Sequence, residues 1–255
     1  MADKRPIAVF DSGVGGISVL RELYAFMPNE NYIYFGDSAN APYGSKSVSE
    51  VLKLSENITD RLIAMDAKAI VIACNTATSV AAAYLRDKYK EFPIIGVEPA
   101  LKPAVLYKEK SAVAVMATPI TLREEKFKKL MASFEDKAEI IPVPCEKLAG
   151  MIEKGILSGK EIEEYIKMLF EPLGKIDSVV LGCTHYPFIK DSVKKVLGDV
   201  SVFDGGEGTA RETMRRLSLE HLLSDNREKG EVLFINSNDS EEEIAFCKRL
   251  FEIGR

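Results

Sequence analysis

The sequence predicts an α/β fold with mostly parallel sheets, and three observations support this prediction. Short apolar runs recur along the whole chain. Longer segments with one apolar and one polar face separate most of these runs, so strands and helices are expected to alternate. Two of the apolar runs, one in each half of the chain, end in the same arrangement of residues, which suggests two similar α/β halves.

The strand candidates are nine apolar runs of four to six residues. Continuous apolar runs of this length are typical of parallel strands that helices cover on both faces. In chain order, the runs are residues 7–10 (IAVF), 32–35 (YIYF), 69–73 (AIVIA), 94–97 (IIGV), 112–117 (AVAVMA), 139–143 (EIIPV), 178–182 (SVVLG), 200–203 (VSVF) and 231–235 (EVLFI).

Helices are predicted in the segments between most of these runs. Residues 47–65 begin with Ser47 and carry Glu50 three positions later. This is the spacing of a capping box, in which each of the two side chains bonds to the backbone N–H of the other residue. His221, in the segment LEHLLSD, is also interpreted as an ordinary helix residue.

The matched apolar runs align without a gap. Residues 67–77 (AKAIVIACNTA) and 176–186 (IDSVVLGCTHY) each contain an apolar strand, a small residue, a cysteine and two residues that can form hydrogen bonds. The two cysteines, Cys74 and Cys183, are 183 − 74 = 109 positions apart. This spacing suits equivalent positions in two pseudo-symmetric α/β halves.

Length and charge limit the possible classes of protein. The 255 residues suit one large or two medium-sized domains. Lys and Arg number 34 and Asp and Glu number 39, so the net charge of −5 gives no electrostatic reason to bind nucleic acid or a membrane surface. Residues 1–13 lack the apolar core of a signal peptide, and no apolar run approaches the roughly 20 residues of a membrane span. A soluble cytoplasmic protein is therefore predicted.

Cysteine and histidine are too sparse for a metal site. The four cysteines form no CxxC pair, and the chain has two histidines, so neither a disulfide framework nor a metal centre is predicted. A single cysteine often only fills space in a core, and Cys145 and Cys247 are interpreted in this way. Cys74 and Cys183 stand in matching contexts before polar residues, and this favours a functional role.

Polar side chains follow several of the predicted strands at their carboxyl ends, where open parallel sheets bind ligands. The candidates are Asp11 and Ser12 after the first strand, Tyr43 and Gly44 in the loop after the second, Cys74, Asn75 and Thr76 after the third, and Cys183, Thr184 and His185 after the seventh. His185 can hold or relay a proton near neutral pH.

The glycine-rich segment DSGVGG, residues 11–16, follows the first strand and precedes a predicted helix. Its glycines do not have the GxGxxG spacing, and no GK[ST] follows, so a phosphate-binding loop is not favoured. We interpret the segment as a tight turn from strand to helix. The N–H groups of the following helix could then bind a small carboxylate.

Two thiols that face one substrate could invert a carbon acid. One thiolate would remove a proton from one face, and the other thiol would supply a proton to the opposite face. The thiolate fraction limits such chemistry. Because a carboxylate near Cys74 would raise its pKa, Asp11 is more plausible as a proton acceptor or positioning group, whereas protonated His185 would favour the Cys183 thiolate. A single thiol with a histidine could instead be a nucleophile.

The segments that carry these residues resemble the glutamate racemase family, within the wider aspartate/glutamate racemase group. The resemblance extends from about residue 7 to about residue 215. The matching segments, in the order of the family, are IAVFDSGVGGISVLREL, YFGDSANAPYGSKS, IACNTATS, GVEPALKPA and LGCTHYPFI.

The resemblance implies a cofactor-independent and metal-free enzyme that interconverts L- and D-glutamate and supplies D-glutamate for peptidoglycan. It further implies a cytoplasmic homodimer. Its fold would have two pseudo-symmetric α/β domains with the active site in the cleft between them. One domain would comprise residues 1–97 plus 207–255, and the other residues 98–206.

The resemblance also assigns roles to residues of this chain. Cys74 would act on D-glutamate and Cys183 on L-glutamate, with Asp11, His185 and Glu153 as auxiliary groups. The substrate-binding positions implied are Asp11, Ser12, Tyr43, Gly44, Asn75, Thr76, Thr118, Thr121, Thr184 and His185.

Two alternatives remain open at this point. The chain could be an aspartate racemase, or a racemase of another acidic amino acid, since the reach of one carboxylate is not readable from the sequence. It could also be a non-catalytic protein that binds an acidic ligand in the same place. The two intact cysteine segments favour the enzyme.

Overall fold

The structure of the protein is a computed structural model that describes residues 3–253. All nine predicted strands are present, and each of their ends lies within one residue of its predicted position. The strands are β1 (Ile7–Asp11), β2 (Tyr32–Gly36), β3 (Ala69–Ile72), β4 (Ile94–Gly96), β5 (Ala112–Ala117), β6 (Glu139–Pro144), β7 (Ser178–Leu181), β8 (Ser201–Asp204) and β9 (Val232–Asn236). The α-helices are α1 (Ile17–Phe26), α2 (Val48–Ala64), α3 (Asn75–Lys88), α4 (Leu101–Tyr107), α5 (Pro119–Arg123), α6 (Glu125–Ala132), α7 (Leu148–Glu153), α8 (Lys160–Phe170), α9 (Lys190–Leu197), α10 (Gly206–Leu219) and α11 (Glu241–Glu252).

These elements form two compact units, each with one parallel sheet flanked by helices, so the predicted α/β fold is confirmed. The first unit contains residues 3–98 and 206–253, and the second contains residues 99–205. The division into domains at 1–97 plus 207–255 and 98–206 stays a prediction. Residues 1, 2, 254 and 255 of that prediction lie outside the described residues. None of the helices that the structure describes has the length and apolar character needed to cross a membrane.

The sheet of the first unit has the strand order β4-β3-β1-β2-β9, and all of its neighbouring strands are parallel. Helices α2 and α3 pack on it through one buried cluster. That cluster includes Phe10 and Ile72 of the sheet, Leu62 of α2 and Leu85 of α3, each with no exposed surface. Helix α1 packs against α10 and α11. The end of the chain therefore returns to complete the first unit.

A buried ion pair ties this returning segment to the amino ends of the strands. Lys68 Nζ lies 2.5 Å from Glu30 Oε2, and both side chains are almost wholly buried. Lys68 also donates to the backbone oxygen of Asp3 at 2.7 Å. The other oxygen of Glu30 accepts the backbone N–H of Ser224 at 2.7 Å. The pair thus has the additional hydrogen bonds that a buried charge requires.

The sheet of the second unit has the strand order β6-β5-β7-β8 and is also parallel throughout. Successive residues of β5, one of its two inner strands, point to opposite faces. Val113 and Val115 join a cluster with α4 and α6, whereas Ala114 and Met116 join one with α7, α8 and α9. Helices therefore cover both faces of this sheet, as the continuous apolar strands predict.

The prediction that His221 is a helix residue was wrong. Helix α10 ends at Leu219, and His221 has a φ of 58°, in the left-handed region. The N–H of Leu222 donates to Leu217 O at 2.8 Å, and the N–H of His221 donates to Ser218 O at 3.2 Å. These two bonds form a Schellman motif, in which His221 takes the left-handed position that glycine most often occupies.

The predicted capping box is present at the start of α2. Ser47 Oγ accepts the N–H of Glu50 at 3.3 Å, and Glu50 Oε2 accepts the N–H of Ser47 at 2.9 Å. We expect Ser47→Ala to lower the free energy of unfolding by about 1 kcal/mol, because it removes one side of this box. Urea denaturation would measure the change. Ser218→Ala, at an exposed position within α10, is the matched control and should change the free energy of unfolding by less than about 0.5 kcal/mol. Equal losses in the two variants would contradict the prediction.

Candidate active site

The carboxyl ends of three strands in the first unit lie at one edge of its sheet. The parallel register places Asp11 opposite Gly36 and Phe10 opposite Ile72. The polar residues that follow β1, β2 and β3 therefore share this edge. It is the edge at which parallel sheets bind ligands, as predicted from the sequence.

The segment after β1 is a tight turn into α1, as predicted. Asp11 has no exposed surface, and its Oδ1 accepts the N–H of Gly13 at 3.0 Å. A Cβ atom on Gly16 would lie 2.6 Å from the Asp11 Cβ, so only glycine fits where the turn passes the carboxylate. The structure thus explains Gly16 by a close approach to Asp11.

Cys74 is the N-cap of helix α3. Its Sγ accepts the N–H of Ala77 at 3.4 Å and lies 3.7 Å from Ser12 Oγ. The side chain is 5% exposed. A helix N-terminus and a converging N–H group are both features that stabilise negative charge, and both lie at the Cys74 sulfur.

Asn75 and Thr76 are the first two residues of α3 and are both buried. Asn75 Oδ1 has no hydrogen-bond partner among residues 3–253. Buried polar atoms are almost always paired, because an unpaired one costs about 1–3 kcal/mol. This oxygen is therefore an acceptor available to a ligand.

Tyr43 lies in the loop between β2 and α2, followed by Gly44. Its ring is 1% exposed, and its hydroxyl donates to Asp37 Oδ2 at 2.6 Å. Burial raises the pKa of Tyr43 well above its ordinary value, and the bond to Asp37 raises that pKa further. The hydroxyl therefore keeps its proton. Sequence reasoning did not include Asp37 among the site residues, and the only signal for it was its place directly after a strand.

In the second unit, Cys183 stands next to a histidine and a carboxylate. Cys183 follows β7 after one glycine, and its Sγ lies 3.5 Å from His185 Nδ1. His185 Nε2 lies 2.5 Å from Oε1 of Glu153, the last residue of α7. Thr184 and His185 are each 4% exposed. The structure thus brings three of the predicted side chains into one chain of contacts, in which Cys183 and His185 are buried and Glu153 is partly exposed.

Two neighbours, Cys183 and Glu153, shift the pKa of His185. Burial alone would lower its pKa, but the charge and hydrogen bond of Cys183, followed by those of Glu153, outweigh burial. The pKa of His185 is therefore raised well above its ordinary value. An imidazolium at this place puts a positive charge 3.5 Å from the Cys183 sulfur.

Two predicted threonines follow β5, next to β7 in the same sheet. Thr118 is the N-cap of α5, and its Oγ1 lies 2.9 Å from Thr121 Oγ1. The N–H of Thr121 donates to Thr118 Oγ1 at 3.5 Å. Both residues thus lie at the carboxyl edge of the second sheet, on the same edge as Cys183.

The remaining cysteines lie in the packed interior. Cys145 is 1% exposed and belongs to the cluster formed with α7 and α8, and Cys247 of α11 is 4% exposed. Burial raises the pKa of Cys145 strongly, so its thiol is protonated. Within residues 3–253, no three His, Cys, Asp or Glu side chains are arranged to hold a metal ion.

Comparison with known proteins gives a consistent result. A family model described as Asp/Glu/Hydantoin racemase matches residues 18–213. The glutamate racemase of Clostridium botulinum (strain Alaska E43) is 53% identical over 251 residues, which cover 97% of this chain and 97% of the relative.

Solved structures show the same similarity. Glutamate racemase from Francisella tularensis in complex with D-glutamate is 33% identical, with a TM-score of 0.84, and covers 98% of this chain and 94% of its own. Escherichia coli glutamate racemase in complex with L-glutamate and the activator UDP-MurNAc-ala is 29% identical, with a TM-score of 0.82. It covers 96% of this chain and 95% of its own.

Proposed function

Because the chain belongs to the Asp/Glu/Hydantoin racemase family, we propose that it is a glutamate racemase that works with two cysteines as acid and base. The observation that carries the proposal is the pair of buried strand-end thiols. Each lies beside groups that can act on its proton: a helix N-terminus at Cys74 and the His185–Glu153 pair at Cys183. The 53% identity to a glutamate racemase supports glutamate as the substrate.

In the proposed reaction, the two thiols act on opposite faces of one α-carbon. With L-glutamate, the Cys183 thiolate removes the α-proton, and the electron pair stays on the substrate as a carbanion. The Cys74 thiol then gives its proton to the other face and yields D-glutamate. The protonation states of the two cysteines are exchanged after one turnover, so the enzyme is ready for the reverse reaction. The scheme balances without a cofactor or a metal ion.

Other residues are proposed to hold the charged groups of the substrate. The unpaired Asn75 Oδ1 and the Asp11 carboxylate suit the α-ammonium group, which has only donors. Hydroxyl and N–H groups suit the two carboxylates. The residues proposed to supply them are Ser12, Gly44, Thr76, Thr118, Thr121 and Thr184, and Tyr43 through its backbone N–H, because its hydroxyl donates to Asp37.

The proposal includes the use that the cell makes of the product. The E. coli relative is bound to L-glutamate and to the activator UDP-MurNAc-ala. This supports a role for the present chain in supplying D-glutamate for peptidoglycan. We further propose that it acts as a homodimer in the cytoplasm, as the family resemblance implies.

Proton NMR of L-glutamate, and separately of D-glutamate, in deuterated water would test the proposed function. We expect the α-proton signal of each enantiomer to disappear, and the product to have the opposite configuration. Aspartate is the matched control substrate and should exchange much more slowly. Faster exchange with aspartate would mean that glutamate is not the preferred substrate. No exchange with either amino acid would favour the hypothesis of a non-catalytic binding protein.

A further inference from the structure

Asp37 is a buried carboxylate whose partners are neutral. Its side chain is 2% exposed. Oδ2 accepts the hydroxyl of Tyr43 at 2.6 Å, and Oδ1 accepts Nδ2 of Asn40 at 2.9 Å. Among residues 3–253, no Lys or Arg forms an ion pair with Asp37. Because a buried carboxylate is costly without hydrogen bonds, these two donors are held firmly in place.

The backbone of Asp37 is anchored as well. Its N–H donates to Asp11 O at 2.9 Å, where β1 ends, and its carbonyl accepts the N–H of Asn40 at 3.0 Å. Backbone bonds of Asp37 therefore fix the start of the loop that runs from residue 37 to Tyr43, and they tie it to the strand end that carries Asp11.

The ring that Asp37 holds belongs to the same buried cluster as Cys74. Tyr43 and Cys74 are both members of it, together with Phe10. The charges of Cys74 and Asp11 also raise the pKa of Tyr43, which places both groups within electrostatic range of the phenol. Because the phenol donates its proton to Asp37, it is not a proton donor in the reaction.

We propose that Asp37 is a positioning residue, which acts on Cys74 through Tyr43. By holding the phenol, it keeps the ring in the cluster around the thiol. It also fixes the backbone of Gly44, which follows directly. This role rests on the proposed function in one respect only, namely that the loop binds glutamate.

Asp37→Asn tests the proposal because it removes the negative charge that strengthens the hydrogen bond from Tyr43 and leaves one oxygen where two hydrogen bonds are now accepted. Loss of a hydrogen bond to a charged group has a typical effect of about tenfold or more. We expect iodoacetamide to alkylate Cys74 about tenfold faster, with the rate at Cys183 unchanged, as measured by peptide mass spectrometry. The KM for glutamate should rise about tenfold, while kcat changes by less than about threefold.

Two variants separate positioning from a general loss of structure. Asn40→Ala removes the other hydrogen bond of Asp37 and should leave both the alkylation rate and the KM within about twofold of the wild type. Tyr43→Phe removes the same hydrogen bond as Asp37→Asn from its other side and should reproduce the selective alkylation. In the double variant that combines Asp37→Asn with Tyr43→Phe, Cys74 should then be alkylated no faster than in Tyr43→Phe alone.

The role of Asp37 and the proposed function are tested by different outcomes. Equal acceleration at Cys74 and Cys183, no acceleration, or additive effects in the double variant would overturn the role of Asp37. If Asp37→Asn does not fold, the alkylation pattern of Tyr43→Phe alone decides. If the wild type does not racemise glutamate, the proposed function fails, but the selective change at Cys74 still tests Asp37.

Discussion

Replacement of either strand-end cysteine by serine is expected to reduce racemisation on the order of 10³-fold, because a hydroxyl is a far weaker base than a thiol. A racemase needs both proton transfers for inversion. Cys74→Ser and Cys183→Ser should therefore be equally inactive when inversion is measured by polarimetry.

The two variants should differ in α-proton exchange. Cys74→Ser retains the Cys183 thiolate, which can remove the α-proton of L-glutamate and return a deuteron to the same face. We expect NMR in deuterated water to show exchange of L-glutamate without inversion in Cys74→Ser. Exchange of D-glutamate is expected in Cys183→Ser. The opposite pattern would reverse the assigned roles, and inversion at a normal rate in either variant would rule out two-thiol catalysis.

Cys247→Ala is the matched control for these variants. Cys247 is buried in α11, so its loss removes a thiol and creates a small cavity at a place with no proposed role in the reaction. The variant should be somewhat less stable but should racemise glutamate at the wild-type rate.

Glu153→Gln is expected to lower kcat by about 10- to 100-fold at pH 8, the range for loss of a hydrogen bond between charged groups. Glu153 helps to raise the pKa of His185, so a neutral amide allows that pKa to fall. The imidazole of the variant would then lose its proton at a lower pH than that of the wild type, and with it the positive charge beside the Cys183 sulfur. The loss of activity should shrink as the pH is lowered, because the imidazole of the variant then regains its proton.

The direction of the reaction gives a further readout. If Cys183 removes the proton from L-glutamate, Glu153→Gln should increase the primary deuterium isotope effect with α-deuterated L-glutamate. Glu146→Gln, an exposed Glu-to-Gln change seven residues earlier in the chain, should alter neither kcat nor the isotope effect. A pH-independent loss of activity in Glu153→Gln would show that Glu153 does not act through His185.

The pair of His185 and Glu153 also predicts how the free energy of unfolding depends on pH. The pKa of His185 is raised in the folded protein above its unfolded value of about 6.5. The unfolded state therefore loses this proton first as the pH rises. The stabilisation is complete below about pH 6.5 and is lost as the pH rises through the raised folded value. Glu153→Gln should weaken this dependence in urea titrations.

Much of the fold could be predicted because its signals are local. Each strand is a short apolar run, and the capping box at Ser47 and Glu50 needs only two residues at a fixed spacing. The prediction for His221 failed because α10 ends where His221 itself adopts the left-handed conformation, and glycine is the residue that usually signals this conformation. A histidine in this position carries no comparable signal.

The site was predictable only in part. Cys74 and Cys183 stand out because the same pattern occurs twice in the chain. Glu153 lies 32 residues from His185, so its contact with the imidazole depends on how α7 packs, and only the family resemblance indicated it. The bond of Asp37 to Tyr43 depends on the conformation of a loop, which no periodicity encodes.

The position of β9 has a consequence for synthesis. This strand pairs with β2, yet it is synthesised after every residue of the second unit. All residues of the second unit are made before it, so that unit can finish folding while β2 still has an open edge. At about 5–20 residues per second, the 195 residues between β2 and β9 take roughly 10–40 seconds. During that time the unpaired edge of β2 is open to other strands. We therefore expect nascent chains that stop before residue 230 to bind chaperones or aggregate.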